Sequence, residues 1–321
     1  MIATVTLNPS IDTWIELPSL RLGALNRVSE AVRSAGGKGI NVSRVIQELR
    51  SPTRAFGIIG GHEGVRFRKL LRALSIPSEM IAISGSTRNN YKIRTLHPRA
   101  VTELNTAGPQ VSLATVQLLF ERLLRHQRLR CVVLSGSLPP GIPLQTYQHW
   151  IQALRTRHLP TVLDASGDAL RLALAARPWL IKPNREEAEE LLGEHLTGMN
   201  QLVRAVGRLL ELGPEVVMLS LDADGALLGC GSTTSQHHRS PSIAEIWLAR
   251  PPKVTGDSSV GAGDSLLAGV LVRWAAGASW PEALRCGVAC GAAAAMTPGA
   301  ELCRRSDVER LLPRVTVRRL A

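Results

Sequence analysis

The 321-residue sequence has few aromatic residues, few lysines and no long hydrophobic run. Aromatic residues make up 3%, too few to build the stacking platforms on which single-stranded nucleic acids bind. Charged residues interrupt the most apolar stretch, 266–296, so no segment reaches the roughly 18–20 residues that a membrane-spanning helix needs. The first eight residues carry no basic segment of the kind that opens a signal peptide. These absences predict a cytoplasmic protein with no membrane partner.

Cysteine is scarce as well. The five cysteines are odd in number and scattered, whereas an export-type disulfide framework needs an even set at short spacings. Cys286 and Cys290 stand one helical turn apart, but no histidine or second cysteine pair lies nearby at metal-ligand spacing. We therefore interpret both as small buried residues of a helix.

The charge of the chain is strongly positive, +12 from 38 basic and 26 acidic residues, yet only five of the basic residues are lysine. Three interpretations are open: a nucleic-acid surface, an arginine-rich solvated surface, or a site that receives polyanionic ligands. The arginines are spread over the whole length, which disfavours the first. The motifs described below favour the third, so we expect no nucleic-acid partner.

Short β-branched segments alternate with segments of helical periodicity. The predicted strands are Ile2–Leu7, Thr53–Ile58, Cys131–Ser135, Thr161–Asp164, Trp179–Lys182 and Val216–Leu221. The predicted helices are Gly39–Leu49, Gly64–Leu74, Leu113–Arg128, Leu144–Arg157, Arg185–Leu192, Asn200–Leu212, Ala262–Ala276, Pro281–Met296 and Ser306–Leu312. This alternation predicts an α/β fold with a mainly parallel central sheet, whose ligands lie beyond the carboxyl ends of the strands.

Two stretches break the alternation. Residues 12–33 and 86–105 alternate polar and apolar residues without helix-capping signals, which predicts short antiparallel strands projecting from the main sheet as a lid. No linker of disordered composition and no internal repeat occurs. The sequence therefore predicts one domain, 1–321, that carries a small β-sheet lid.

The strongest chemical signal is the segment Val260–Ser265, which precedes an apolar helical stretch. Gly261, Ala262 and Gly263 would leave backbone N–H groups uncovered at a positive helix end, which is a ready site for an anion. Asp264, in the first turn, could take a proton from an attacking hydroxyl. The same pattern also fits an ordinary capped helix start.

Two further motifs lie at predicted strand-to-helix junctions. Gly37, Lys38 and Asn41 belong to a glycine-rich segment that lacks the Walker A pattern and suggests recognition of sugar hydroxyls. Asn184 and Glu187 follow Lys182 and share one helix face. A capping box has the same three-residue spacing, and both roles can hold at once.

The order of these motifs along the chain, with Asn8–Asp12, Thr87-Arg88 and Ser135–Gly141, resembles the PfkB branch of the ribokinase-like carbohydrate kinases. The resemblance covers essentially the whole chain. It implies a ribokinase-like three-layer sandwich with a β-sheet lid that closes over the sugar and forms a homodimer contact. Within the family the chain looks most like the 1-phosphofructokinase and tagatose-6-phosphate kinase members.

The resemblance also implies roles for individual residues. Asp264 would be the catalytic base, beside an anion hole of Gly261, Ala262 and Gly263. The implied substrate-binding residues are Asp12, Gly37, Lys38, Asn41, Arg88 and Ser137, with Arg88 on the substrate phosphate, helped by Arg27 or Lys38. The implied nucleotide-binding residues are Lys182, Asn184, Glu187, Ser220 and Gly225, with Glu187 holding Mg²⁺ through water.

The expected activity is ATP-dependent phosphorylation of a hexose monophosphate, first of all fructose 1-phosphate to fructose 1,6-bisphosphate. Tagatose 6-phosphate and fructose 6-phosphate are alternative acceptors, although Glu103 stands about where the 6-phosphofructokinase members carry a second phosphate-binding arginine. A non-catalytic sugar-phosphate sensor is the alternative of another class. Two residues depart from the family pattern: Asp222 replaces a glycine near the nucleotide, and Ser259 replaces a threonine.

Overall fold

A computed structural model describes residues 1–28, 30–231, 243–256, 260–297, 299 and 301–321. Ser259 lies outside this part of the chain. The strands are β1 (Ile2–Thr6), β2 (Ser10–Leu17), β3 (Ala31–Gly36), β4 (Thr53–Gly60), β5 (Ser78–Ile83), β6 (Arg88–Leu96), β7 (Arg99–Leu104), β8 (Cys131–Ser135), β9 (Thr161–Asp164), β10 (Leu180–Ile181), β11 (Val216–Ser220), β12 (Ala226–Gly231), β13 (Ile243–Arg250) and β14 (Thr316–Arg319). The helices are α1 (Lys38–Glu48), α2 (Gly61–Ala73), α3 (Leu113–Leu124), α4 (Thr146–Arg155), α5 (Gly167–Leu174), α6 (Arg185–Leu192), α7 (Met199–Glu211), α8 (Ala262–Ala275), α9 (Trp280–Met296) and α10 (Arg305–Leu311).

The main sheet has ten strands in the order β14-β13-β12-β11-β10-β9-β8-β1-β4-β5. From β5 to β11 all neighbouring strands are parallel, and β12, β13 and β14 extend one edge in antiparallel fashion. All six predicted strands lie in the parallel part. The mainly parallel sheet is therefore confirmed, and its antiparallel edge is an addition that the sequence reasoning did not predict.

Successive residues of the central strands point to opposite faces of the sheet. Ala3 and Val5 of β1 pack into a core formed with α3, α4, α5, α6 and α7, whereas Ile2 packs into a core formed with α1, α8, α9 and α10. Helices thus cover both faces, and the three-layer sandwich is confirmed. None of the described helices is long and apolar enough to cross a membrane.

The predicted lid is a separate four-stranded sheet in the order β3-β2-β6-β7. Its two hairpins, β2–β3 and β6–β7, are antiparallel as expected, but the central pair β2–β6 is parallel. The sequence predicted antiparallel strands within each of the two segments and made no prediction about how the segments pair with each other. Both strands leave the main sheet in the same direction, and the intervening β4, α2 and β5 supply the long crossover that a parallel pair needs.

Helix boundaries agree closely with the predictions, and α6 has the predicted bounds. The helix α5 and the strand β5 were not predicted. The structure places the carboxyl ends of β1, β8, β9 and β10 next to each other in the main sheet. The chemistry-bearing segments leave the sheet at this edge.

Candidate active site

The start of helix α8 is built around glycine. Gly261, the N-cap residue, has φ 76°, a left-handed conformation that costs glycine little, and a Cβ there would lie 2.4 Å from the Leu302 side chain. The N-cap glycine has no side chain to cap this helix end, and no other cap is seen among the described residues, so the first-turn N–H groups can face an anion. Asp264 lies in this first turn and is only 7% exposed. The predicted glycine-rich helix start and the carboxylate in its first turn therefore lie together.

Asp264 faces the start of a second helix. The Nδ2 atom of Asn41, in the first turns of α1, donates a 2.8 Å hydrogen bond to Oδ2 of Asp264. The pKa of Asp264 is raised, first because burial disfavours its charge and second because the Asp164 carboxylate lies nearby. The charges of Lys38 and Lys182 and the Asn41 hydrogen bond act in the opposite direction without reversing the shift. A raised pKa makes this carboxylate a better proton acceptor.

Asp164, at the carboxyl end of β9, is a site residue that the sequence reasoning missed. It is fully buried, and its Oδ1 atom lies 2.8 Å from Lys38 Nζ and 3.5 Å from Lys182 Nζ. Burial alone would raise its pKa, but the charges of Lys182 and Lys38 lower it. Its Oδ2 atom has no hydrogen-bond partner among the described residues. A polar residue ending a predicted buried strand was the signal that could have revealed it.

Lys38 joins the glycine-rich segment to this carboxylate. Its Nζ atom also lies 3.9 Å from Oε1 of Glu187, and the pKa of Lys38 is raised chiefly by the Asp164 charge. The Nζ atom of Lys182 lies close to Gly263, since a Cβ atom added at Gly263 would be 3.3 Å from it. Two ammonium groups therefore lie beside the Asp164 carboxylate, and that of Lys182 is close to the glycine-rich start of α8.

The Asn184–Glu187 pair forms a complete capping box at the start of α6. Asn184 N–H donates to Glu187 Oε2 at 2.9 Å, and Glu187 N–H donates to Asn184 Oδ1 at 2.7 Å. The other oxygen of Glu187, Oε1, is the one directed to Lys38. The capping role is therefore present, and it leaves one carboxylate oxygen facing the site.

A cavity of 650 Å³ adjoins the start of α8 and extends to Ser220, Asp222 and Gly225. Its inner wall is apolar and includes Leu266 and Val288, which suits the base of a nucleotide. Gly225 has φ 98°, and a Cβ there would lie 2.0 Å from the carbonyl oxygen of Ala249, so no other residue fits without a backbone shift. The predicted nucleotide residues Ser220 and Gly225 both line this cavity.

The lid supplies a third buried aspartate, Asp12 of β2. Ser10 Oγ donates to Oδ1 of Asp12 at 2.6 Å, and Lys92 Nζ lies 3.3 Å from Oδ2. Lys92, from β6, is 7% exposed and stands 5.4 Å from the ring centroid of Trp14. The sequence reasoning assigned no role to Lys92. A Cβ at Gly36 would lie 2.3 Å from the carboxyl carbon of Asp12, so glycine is required where β3 passes it.

Asn8 contacts two of the predicted substrate-binding residues, Arg88 and Ser137. Arg88 donates from Nε to the Asn8 carbonyl at 3.1 Å and from Nη1 to the Thr106 carbonyl at 2.9 Å. Burial lowers the pKa of the Arg88 guanidinium. The Nδ2 atom of Asn8 lies 3.2 Å from Ser137 Oγ. Arg27 is exposed in the segment between β2 and β3.

A model of the pfkB family carbohydrate kinases matches residues 5–307 of the chain. The chain belongs to the pfkB family of carbohydrate kinases. The 1-phosphofructokinase of Bacillus subtilis (strain 168) is 36% identical over 320 residues, which cover 100% of both chains. The 1-phosphofructokinase of Escherichia coli (strain K12) is 32% identical over 319 residues, covering 98% of this chain and 97% of the relative.

Solved structures support the same family. Phosphofructokinase-2 from Escherichia coli, in complex with substrates and products, superposes with a TM-score of 0.89 at 30% identity, and the match covers 98% of each chain. A possible 1-phosphofructokinase from Thermotoga maritima superposes with a TM-score of 0.87 at 26% identity, covering 100% of this chain and 99% of that one. The family, the fold and the kinase class predicted from the motifs are confirmed.

Proposed function

We propose that this pfkB-family kinase transfers the γ-phosphoryl group of ATP to fructose 1-phosphate and forms fructose 1,6-bisphosphate. The observation that carries the proposal is the placement of Asp264, a buried carboxylate of raised pKa in the first turn of a helix that begins at a glycine. Relatives that bear the name 1-phosphofructokinase align over nearly the full length of the chain and support the choice of acceptor.

Asp264, the backbone at the start of α8 and two lysines would each take a separate part in the phosphoryl transfer. Asp264 would accept the proton of the acceptor hydroxyl as that oxygen attacks phosphorus, and its raised pKa favours this transfer. The first-turn N–H groups of α8 would stabilise the charge on the transferred group. Lys38 and Lys182, both held by Asp164, would place two positive charges beside the phosphates.

The oxygen atoms near Lys38 fit a magnesium ion. Asp164 keeps one buried oxygen without a hydrogen-bond partner among the described residues, and Glu187 turns one oxygen toward the same lysine. Mg²⁺ is usually bound by one or two carboxylates together with waters and substrate phosphates, so a larger acidic cluster is not needed. We propose that Asp164 and Glu187 hold the ion, with Glu187 acting through water. When bound, Mg²⁺ would neutralise phosphate charge.

Arg88 supports a phosphorylated acceptor over a neutral sugar. Its guanidinium is fixed by two backbone carbonyls beside the Asn8–Ser137 contact, and a planar guanidinium matches phosphate oxygens. Asp12, Gly37, Lys38 and Asn41 would surround the sugar hydroxyls. Tagatose 6-phosphate and fructose 6-phosphate remain the alternative acceptors.

The test is a coupled assay with ATP and Mg²⁺ on fructose 1-phosphate, fructose 6-phosphate, tagatose 6-phosphate and unphosphorylated fructose. We expect fructose 1-phosphate to give the highest kcat/KM, by about 10-fold or more, because a misplaced phosphate leaves the half-buried Arg88 guanidinium without an anionic partner. Equal rates on fructose would overturn the phosphosugar assignment. Binding of sugar phosphate without turnover would establish the sensor instead.

We also propose that two copies of the chain form a homodimer through their lids. We further propose that the protein is cytoplasmic. Tyr91 of β6 and Leu104 of β7 are directly opposite each other in the hairpin and are 40% and 52% exposed. Exposed apolar patches of this kind mark protein interfaces. Five free cysteines support a reducing compartment. Light scattering should show a dimer that Tyr91→Asp dissociates and that Leu212→Asp, an exposed leucine outside the lid, leaves intact.

A further inference from the structure

Lys92 of β6 is a buried lysine to which the proposed mechanism assigns no role. It is 7% exposed, and lysine is rarely buried unless its charge is paired. Its Nζ atom lies 3.3 Å from Oδ2 of Asp12, which is 6% exposed, and 5.4 Å from the ring centroid of Trp14. The lid therefore contains a buried ion pair with an aromatic ring beside its cation.

The ion pair joins the two central strands of the lid. In the parallel pairing of β2 with β6, Asp12 lies opposite Asn90, and Trp14 lies opposite Lys92. Because side chains alternate between the two faces of a sheet, these four residues share one face. Lys92 therefore reaches diagonally across the two strands to Asp12, and the contact depends on their register.

The contacts of Asp12 occupy most of its carboxylate. Ser10 Oγ donates to Oδ1 at 2.6 Å, and Asn90 Nδ2 donates to the same oxygen at 3.4 Å. A carboxylate offers about four acceptor positions, divided between its two oxygens. With Lys92 at one position of Oδ2, the described contacts leave one position for a substrate hydroxyl, on the oxygen that Lys92 contacts. The location of Lys92 therefore sets the direction in which Asp12 can accept a further hydrogen bond.

Stability alone does not account for this ion pair. Replacing a buried ion pair with apolar residues of similar size is often neutral or stabilising. A buried carboxylate without a cation is costly, whereas an ionised carboxylate accepts stronger hydrogen bonds than a neutral group does. We propose that Lys92 is a positioning residue, which keeps the Asp12 carboxylate charged and oriented for the sugar hydroxyls. This role rests on the proposed function, in which Asp12 binds the sugar.

The test variant is Lys92→Met, which keeps a long unbranched side chain and removes the charge. Steady-state kinetics should show the KM for fructose 1-phosphate rising by about 10-fold or more, the effect of one charged hydrogen bond, because the Asp12 carboxylate is no longer held. Lys92 is not among the described residues that line the nucleotide cavity, so kcat and the KM for ATP should stay the same. A fall in kcat with the KM for the sugar phosphate unchanged would overturn the proposal.

The matched control breaks the next ion pair between the same two strands. Glu16 lies opposite Arg94, and Arg94 Nη1 lies 3.1 Å from Glu16 Oε2. The Glu16 side chain is 56% exposed, and an ion pair with an exposed partner contributes little. Glu16→Gln should therefore leave both KM values unchanged. An equal rise in the KM for the sugar phosphate in Glu16→Gln and Lys92→Met would contradict the proposal, because general loosening of the lid would explain it.

A second comparison does not require Lys92→Met to fold, since removing one charge of a buried pair can destabilise a protein strongly. It sets Asp12→Asn against Asp12→Asn/Lys92→Met, in which both charges are absent. If Lys92 acts through Asp12, the second substitution should cause no further loss of kcat/KM for the sugar phosphate. A further loss would show that Lys92 contacts the sugar phosphate itself, and the positioning role would be wrong.

Calorimetric titration with fructose 1-phosphate, without nucleotide, separates the role of Lys92 from the proposed function. Binding by the wild type that Lys92→Met weakens by about 10-fold would support both. Binding and turnover by the wild type, together with an unchanged Lys92→Met variant, would reject the role of Lys92 alone. Neither binding nor turnover by the wild type would reject the proposed function and, with it, the role of Lys92.

Discussion

Asp264 and Asp164 are two buried carboxylates of one site, 7% and 0% exposed, and their pKa values are shifted in opposite directions. Asp164 has two ammonium groups within 3.5 Å, whereas the hydrogen bond that Asp264 accepts comes from the neutral amide of Asn41, at 2.8 Å. Burial alone would raise both pKa values, so the placement of the cations decides the direction of each shift.

This difference separates two functions. A carboxylate with a raised pKa can take up a proton during reaction, while one with a lowered pKa remains an anion and holds cations in place. At Asp164 the charges of Lys38 and Lys182 outweigh burial and lower the pKa, whereas at Asp264 the same charges do not outweigh burial. Substitutions at the two carboxylates and at their neighbours distinguish these two functions.

Replacing the proposed base should have the largest effect. Asp264→Asn keeps the size and the contact with Asn41 but cannot accept a proton, so we expect kcat to fall by about 10²–10⁴-fold with sugar-phosphate and nucleotide binding retained. Asp168→Asn removes an aspartate from the first turn of another helix, α5, and should leave kcat unchanged. Steady-state kinetics with both variants checks this, and a fully active Asp264→Asn enzyme would remove Asp264 from the mechanism.

The same substitution should stabilise the fold. Because the pKa of Asp264 is raised on folding, the native state binds more protons than the unfolded state, and stability falls as pH rises from the unfolded pKa through the folded pKa. Above the folded pKa that cost is fully present in the wild type, and it is absent in Asp264→Asn at every pH. The variant should therefore melt at a higher temperature, by roughly 2 °C for each kcal/mol recovered. A lower melting temperature would contradict the raised pKa.

Asp164→Asn should act in the opposite direction. It leaves Lys38 and Lys182 beside a buried neutral amide, and we expect a loss of about 3 kcal/mol in the free energy of unfolding. The lowered pKa of Asp164 contributes stability that is present above its unfolded pKa and is lost as pH falls through the folded value. Urea unfolding between acidic and neutral pH should show this acid-dependent contribution in the wild type and not in the variant. Equal stability of the two proteins would show that the lysines do not need this anion.

Asp264 and Asp164 also differ in how far their roles could be predicted from the sequence. Asp264, Gly261 and Gly263 form a contiguous motif whose local conformation dictates the site, so the prediction was specific. Asp164 depends on Lys38, 126 positions away, and no local pattern shows that contact. The parallel pairing of β2 with β6 was missed for the same reason, since alternation identifies strands but carries no information on their relative direction.

Lys38 connects the predicted and the missed parts of the site. The resemblance implied that it binds sugar hydroxyls, whereas the structure pairs it with Asp164 and places it near Glu187. If its main role is to place charge beside the phosphates, Lys38→Gln should lower kcat by about 10–100-fold, the equivalent of one charged hydrogen bond, and change the KM for sugar phosphate less. Lys69→Gln, an exposed lysine of α2, is the control. A rise in sugar KM with kcat unchanged would favour hydroxyl binding.

The smallest effect is expected at Asp222, which lines the nucleotide cavity with φ 50°, in the left-handed region where the family usually has glycine. At a distance of about 10 Å in water, one negative charge raises the energy of a phosphate charge by roughly 0.4 kcal/mol. Asp222→Asn should therefore lower the KM for ATP by about twofold, and more at low salt, while kcat stays the same. Asp224→Asn removes the same charge from a neighbouring residue that does not line the cavity, and it should have a smaller effect. If both variants lower KM equally, the general field of the surface is responsible and the position of Asp222 is not. If neither does, its carboxylate is fully screened, and the cations beside Asp164 are sufficient to control the phosphates.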